Sequence, residues 1–426
     1  MRASRILFAL TPLCALLAAG SVHATNGYFS HGYGIKAKGM GGASVAMTDN
    51  TFAGANNPAA AAWAGNRMEV GVDVFMPDRS MSRSASGLGP QITVDSDSNL
   101  FLVPEFGYNK ILNDKMAVGV TVYGNGGMNT NYPGGQINCG AGAANVLCGF
   151  GNLGVDLIQL IVAPTFAYKL NDNHSVGVSP LLVYQQFKAY GLEGFTPMSS
   201  LPGQMTSGKY DKSTGLGVRV GYLGKLNDQF SIGASYSPKI KMSKLDDYAG
   251  LFAGAGSFDI PENISLGASF NVTPAVTLAL DYVRINYSGV PSVGNPSSNA
   301  LISQLGNPNG AGFGWTDVNA WKLGAQWQAS SQWTLRGGLN FGDNPVQKQD
   351  VTFNILAPGV ITKHVTLGGT YAMTPKTELS FSFMYAPSKS VSGTSLFDSL
   401  MGPGAGGTET VKMSQKAIGI QYGWRW

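Results

Sequence analysis

Few side chains in this 426-residue chain could do chemistry. Arg219, Lys322 and Arg336 each fall on the small or polar positions of a stretch whose residues alternate in character, and so share one face. A guanidinium there suits a carboxylate, which it can grip with two parallel bonds. Each of the three could instead pair with Glu69, Asp73 or Glu105, which fall on the same kind of position. Nucleophilic catalysis would need a nucleophile, a base and an orienting group. Only His31, His174 and His364 lie beyond the first 24 residues, and no serine beside any of them can be singled out, so the chain is not expected to be an enzyme. Cys139 and Cys148 lie nine apart in a stretch rich in Gly, Ala and Asn. In an exported protein they are expected to form a disulfide. A metal site is the alternative, but no histidine lies nearby; no metal and no cofactor is expected.

These residues must be positioned by strands. The closing stretch, "AIGIQYGWRW", puts Ile418, Ile420, Tyr422, Trp424 and Trp426 on one face and Ala417, Gly419, Gln421, Gly423 and Arg425 on the other. A period of two is that of a strand whose faces meet different surroundings. Val70, Val72 and Val74 alternate in the same way with Glu69, Gly71 and Asp73, and Leu216, Val218 and Val220 with Gly217 and Arg219. Trp321, Leu323 and Trp327 alternate with Lys322, Gly324 and Gln326. One unit recurs six times, as in "YNKILNDKMAVGV", "YKLNDNHSVGV" and "GKLNDQFSIGA": a strand end, a tight polar turn and a new alternating strand. Between these units lie long Gly-rich loops. Short turns at one end and long loops at the other are the pattern of a transmembrane barrel. With a first strand from about Arg67 to Asp78 and a last from about Val411 to Trp426, the strands number about fourteen. The fold class is therefore all-β, a 14-stranded antiparallel transmembrane β-barrel; a soluble sandwich would share the alternation but not the loop asymmetry.

Export and composition agree. Arg2 and Arg5 precede an apolar run from Ile6 to Ala19, and Val22-His23-Ala24 offers small residues for cleavage, so residues 1–24 read as a signal peptide. Without it, 28 basic residues less Arg2 and Arg5 leave 26 against 24 acidic ones, a charge of +2 and no footprint for nucleic acid. Only 12% of residues are charged, about half the usual share. Residues 25–65 do not alternate and are rich in Gly and Ala. They are expected to form a hatch inside a barrel of residues 66–426, since a barrel this wide is a pore unless filled.

Gly39-Met40-Gly41-Gly42-Ala43, then Asp49, then Asn57-Pro58-Ala59 before the first strand, resemble the FadL family of outer-membrane transporters of long-chain fatty acids and, in some branches, aromatic hydrocarbons. "NILAPGVITKHVTLGGTY" (Asn354 to Tyr371) and the Pro-x-x-x-Tyr strand ends at Pro104 to Tyr108 and Pro164 to Tyr168 also resemble it. The likeness covers essentially all of the chain after the signal peptide. Two departures are the final tryptophan, where phenylalanine is commoner, and the start "TNGYFSHGYG", which differs from the best-known members.

The resemblance implies capture of a hydrophobic small molecule in an apolar groove among external loops, passage past the hatch, and sideways release through an inward kink of the third strand. The groove residues would be Phe195, Met198, Leu201 and Met205, with Leu245, Leu251 and Phe252. Gly41, Gly42, Asn57, Pro58 and Ala59 would belong to the hatch, and Gly124, Asn125, Gly126 and Gly127 to the lateral opening, since glycine in a strand permits bulges. A fatty acid would bring its carboxylate to Arg219, Lys322 or Arg336. Alkane or aromatic hydrocarbon uptake on the same scaffold is the alternative; a general diffusion porin would have a charged constriction and no hatch. The expected setting is the bacterial outer membrane, with lipid around a monomeric barrel and a terminal aromatic strand that the barrel assembly machinery reads.

Overall fold

The computed structural model describes residues 26–140 and 142–426; the expected signal peptide lies outside them. Among the described residues, fourteen strands form the wall. They are β1 (Arg67–Arg83), β2 (Phe101–Ile111), β3 (Met116–Tyr132), β4 (Leu153–Lys169), β5 (His174–Tyr190), β6 (Asp211–Lys225), β7 (Phe230–Ser237), β8 (Asn263–Thr273), β9 (Val276–Ile285), β10 (Val318–Gln328), β11 (Trp333–Gly342), β12 (Lys363–Thr374), β13 (Thr377–Thr394) and β14 (Thr408–Arg425). Each pairs antiparallel with its neighbours in sequence, and β14 returns to β1 in a register running from Arg67↔Arg425 to Arg83↔Glu409. The pairing of β14 with β1 removes the edges that the two terminal strands would otherwise leave in lipid, where an unpaired backbone amide is costly.

The alternation is realised side by side. Val70, Leu216, Trp321, Leu323, Leu335, Ile418 and Ile420 are exposed on the outer face, whereas Glu69, Asp73, Arg219, Lys322 and Arg336 are buried on the inner one. β1 continues past Asp78 to Arg83, and β14 begins at Thr408. Beyond the apolar stretch the alternation persists with polar residues on the outside, since Arg79, Met81 and Arg83 are buried while Ser80 and Ser82 face out. A hydrophobicity pattern alone ends the strand too early.

One device builds three of the short turns. The Asn113 side-chain oxygen accepts from the backbone N–H groups of Lys115 and Met116 at 3.0 and 2.9 Å, and Asn171 and Asn227 do the same for the residues two and three ahead of them. The repeated Leu-Asn-Asp thus supplies an Asx turn, in which a side chain mimics the backbone bond that reverses a chain.

At the opposite end the loops close over the barrel. Cys139 and Cys148 are disulfide-bonded. The segment around Asn354 folds inward, and residues 351–361 are buried. Its Leu356 carbonyl accepts from the Thr130 hydroxyl of β3 at 2.9 Å, and Asn354 accepts from the Trp315 indole N–H at 2.6 Å.

Candidate functional site

Beneath the loops lies an apolar cavity of about 40 Å³. Phe187, Phe195, Met205, Phe252, Phe313 and Phe353 contribute to its walls, and Leu251 lies beside them. A second, outer groove of about 360 Å³ is bordered by Met198, Phe397, Leu400, Met401 and the disulfide. Phe195 packs edge-on against Phe353 at 5.2 Å and lies 5.8 Å from Phe397. It therefore stands between the two spaces. Of the other expected groove residues, Leu245 is buried without lining either space, and Leu201 is exposed.

The hatch fills the lumen below and is tied to the wall by charge. Lys36 donates to Glu69 at 2.8 Å and also to Glu378, and Lys38 donates to Asp73 at 3.0 Å and Glu105 at 3.3 Å. Burial by itself would lower the Lys38 ammonium, but the two carboxylates outweigh it and raise it. The Asp281 carboxylate accepts from the backbone N–H groups of Ser44 and Val45 at 2.6 and 2.9 Å. Asn57 caps the short turn Pro58–Ala62 by accepting from Ala59 at 3.1 Å, while its amide donates to the carbonyls of Val45 and Tyr222 at 2.8 and 2.9 Å. Gly41 donates to the Thr366 hydroxyl at 2.7 Å. Gly42 has φ +87°, and a Cβ there would lie 1.8 Å from the His31 carbonyl oxygen. Only glycine fits that crossing.

Two of the three basic residues expected to meet a ligand are occupied by the hatch. Arg219 donates to the carbonyls of Gly54, at 2.9 Å, and Ala55, and to the Tyr123 hydroxyl at 3.1 Å. Arg336 donates to Asp49 at 3.1 Å, Thr370 at 2.7 Å and Gln326 at 2.8 Å. Burial would raise the Asp49 carboxyl, but Arg336, Lys36 and Arg67 hold it down at about 2. Lys322 faces Asp281 across the β9–β10 pair and lines a polar lumenal cavity of about 40 Å³ that Arg219 also borders. The lysines that take the lumenal carboxylates, Lys36 and Lys38, are not among the residues that sequence reasoning singles out. Their signal is two cations in an otherwise small-residue segment, set against the inward acids Glu69, Asp73 and Glu105.

Among the described residues, the pairing of the wall stops short between β2 and β3. β3 pairs with β2 only from Ala117↔Ile111 to Val122↔Phe106. Above that, a bulge separates Gly124 from Gly126 in the β3–β4 register, with Asn125 as the extra residue. From Asn125 to Thr130, β3 is buried on both faces, as a strand is when it bends into the lumen. The hatch takes up the vacated bonds: Ser30 donates to the Asn125 carbonyl at 3.3 Å, and Gly127 donates to the Tyr28 carbonyl at 3.2 Å. Contact with the preceding segment resumes where Asp97 donates to the Asn131 carbonyl at 2.9 Å. All four residues expected at a lateral opening lie within this window.

The family model described as outer membrane protein transport protein (OMPP1/FadL/TodX) matches residues 17–425. The fold is similar to that of the Pseudomonas putida toluene transporter TodX, at 19% identity over 93% of this chain and 99% of that one, with a TM-score of 0.68. It is also similar to a Pseudomonas aeruginosa FadL homologue, at 15% identity over 96% and 99% with a TM-score of 0.67. The Ralstonia pickettii toluene transporter TbuX gives 20% identity over 93% and 99%, and a TM-score of 0.63. No curated protein sequence matches the chain significantly. Such identities establish a shared fold, and the family match over nearly the whole chain establishes kinship: this chain belongs to the OmpP1/FadL/TodX family of outer-membrane transport proteins.

Proposed function

We propose that this protein takes up long-chain fatty acids, receiving them among the external loops and releasing them sideways through the β2–β3 window. The observation that carries the reading is that window, where the wall's own hydrogen bonds are replaced by bonds to the hatch. A hydrocarbon chain leaving an apolar site for water loses about 0.8 kcal/mol per CH2 group. An exit into the bilayer avoids that cost, and an axial exit through the hatch does not.

The apolar cavity fits a receiving site that opens on binding. A benzene-sized guest takes a cavity of about 150 Å³, more than the 40 Å³ beneath the loops. Lining side chains must therefore move as a guest enters, and Met205, a flexible thioether, can do so cheaply. A second reading, uptake of monoaromatic hydrocarbons, is favoured by the phenyl rings and the absence of charged residues in that lining among the described residues; two of the similar structures are toluene transporters.

Uptake of labelled oleate and labelled toluene by cells with and without the protein tests both readings. Protein-dependent entry of oleate supports the first. Entry of toluene alone replaces it with the second, and entry of neither removes both.

A further inference from the structure

His31 and His364 are the buried histidines among the described residues, and the transport reading gives neither of them a role. His31 belongs to the hatch and His364 to the inner face of β12; they are 2% and 1% exposed. Their rings are stacked, with centroids 5.6 Å apart and planes at 15°. The His31 ring bonds to the Lys38 backbone, while its Nε2 meets no partner among the described residues. The charges that act on the stack are cations, Lys38 of the hatch and Lys322 of β10. Their carboxylates belong to other strands: Asp73 of β1 and Glu105 of β2 take Lys38 at 3.0 and 3.3 Å, and Asp281 of β9 faces Lys322. Gln415 of β14, beside His364, and Asn340 of β11, opposite it, are neutral.

Such surroundings accept an imidazole only without its charge. A second proton on His31 would leave a buried donor unmatched and add a cation to those already facing it, and both are costly. Burial, His364 and the two lysines accordingly hold the His31 imidazole well below its ordinary value. We infer that the His31–His364 stack is an acid-sensitive latch: with His31 neutral it seats the hatch against β12, and a proton taken up by His31 unseats that segment. Ser30, the residue before His31, donates to the Asn125 carbonyl in the β2–β3 window at 3.3 Å. Unseating His31 therefore loosens a contact that closes the window. Once unseated, His31 meets water and regains its ordinary value of about 6.5. The free energy that seats the hatch is then complete above that value and falls with pH below it, shifting the equilibrium by up to about tenfold per pH unit for each proton. This inference rests on the transport reading above and adds a regulation to it.

The test is the conductance of the full barrel in planar bilayers, followed from about pH 7.5 to about 5, the range in which an exposed histidine charges. Wild-type openings should become more frequent below about pH 6.5, by up to about tenfold per unit for each proton. His31→Gln should lose most of that rise, and the double variant His31→Gln/His364→Gln all of it. His174→Gln, where β5 leaves its short turn, should keep it. Should His31→Gln not assemble, His31→Phe, which keeps a ring against His364 but cannot titrate, decides in its place. Wild-type openings that do not change with pH overturn the inference. So does a rise that is unaltered in the His31 variant and in the double variant, which would assign it to Asp73, Glu105 or Asp281. Oleate uptake by cells is measured alongside at about pH 7, where the latch is seated: its absence removes the transport reading, while the pH response still stands or falls on the two histidines.

Discussion

The backbone N–H of Gly127 donates to the Tyr28 carbonyl at 3.2 Å, so the barrel wall is hydrogen-bonded to its own plug. A Cβ at the adjacent Gly126 would lie 1.9 Å from that same carbonyl oxygen. Gly126→Ala should therefore detach the Tyr28–Ser30 segment from β3. The expected outcome in planar bilayers is a rise in conductance over the wild type; an unchanged trace would show that the segment does not depend on this contact.

Lys38 should be among the most sensitive positions. Lys38→Met leaves Asp73 and Glu105 buried without their cation, a change expected to cost about 3–5 kcal/mol. Arg284→Met breaks a pair with Asp317 that is partly exposed, and should cost under about 1 kcal/mol. Urea unfolding of the two variants, compared with the wild type, checks the contrast.

The Asp49–Arg336 pair sets a pH dependence. Asp49 has its carboxyl lowered from 3.8 to about 2, so its contribution is complete above the unfolded value and is lost as pH falls through the folded one. The stability difference between wild type and Asp49→Asn should be constant from pH 7 to about 5 and shrink between about 4 and 2. A difference that does not change over that range would mean that the pair contributes nothing.

Outside the barrel, lipid is the test. Ile420→Lys places a charge on the outer face within the apolar part of β14, at an expected cost of about 2–4 kcal/mol. Folding efficiency into lipid vesicles should fall accordingly, and folding as efficient as the wild type would contradict the assignment of that face.

Much of this is legible because one chemical contrast, apolar against small or polar, repeats every second residue. Val70 and Glu69, or Trp321 and Lys322, announce their faces without any tertiary information. The Asn of each Leu-Asn-Asp turn is equally local. What sequence does not reveal is the set of pairings across the lumen. Alternation places Arg219 and Arg336 on the inner face, where the structure has them, but whether each meets a ligand or the hatch depends on where Gly54, Ala55 and Asp49 lie in space. Arg79 escapes such a reading because it lies beyond the apolar part of β1, where the pattern gives no reason to extend the strand.

The central claim is sideways release, and Asn125 offers the most direct measurement. Deleting it removes the extra residue from the β3–β4 register and should draw β3 back into the wall. Labelled oleate uptake and oleate binding should be measured together on cells and on purified protein. Retained binding with uptake reduced to background is the predicted result; uptake at the wild-type rate would contradict release through the β2–β3 window.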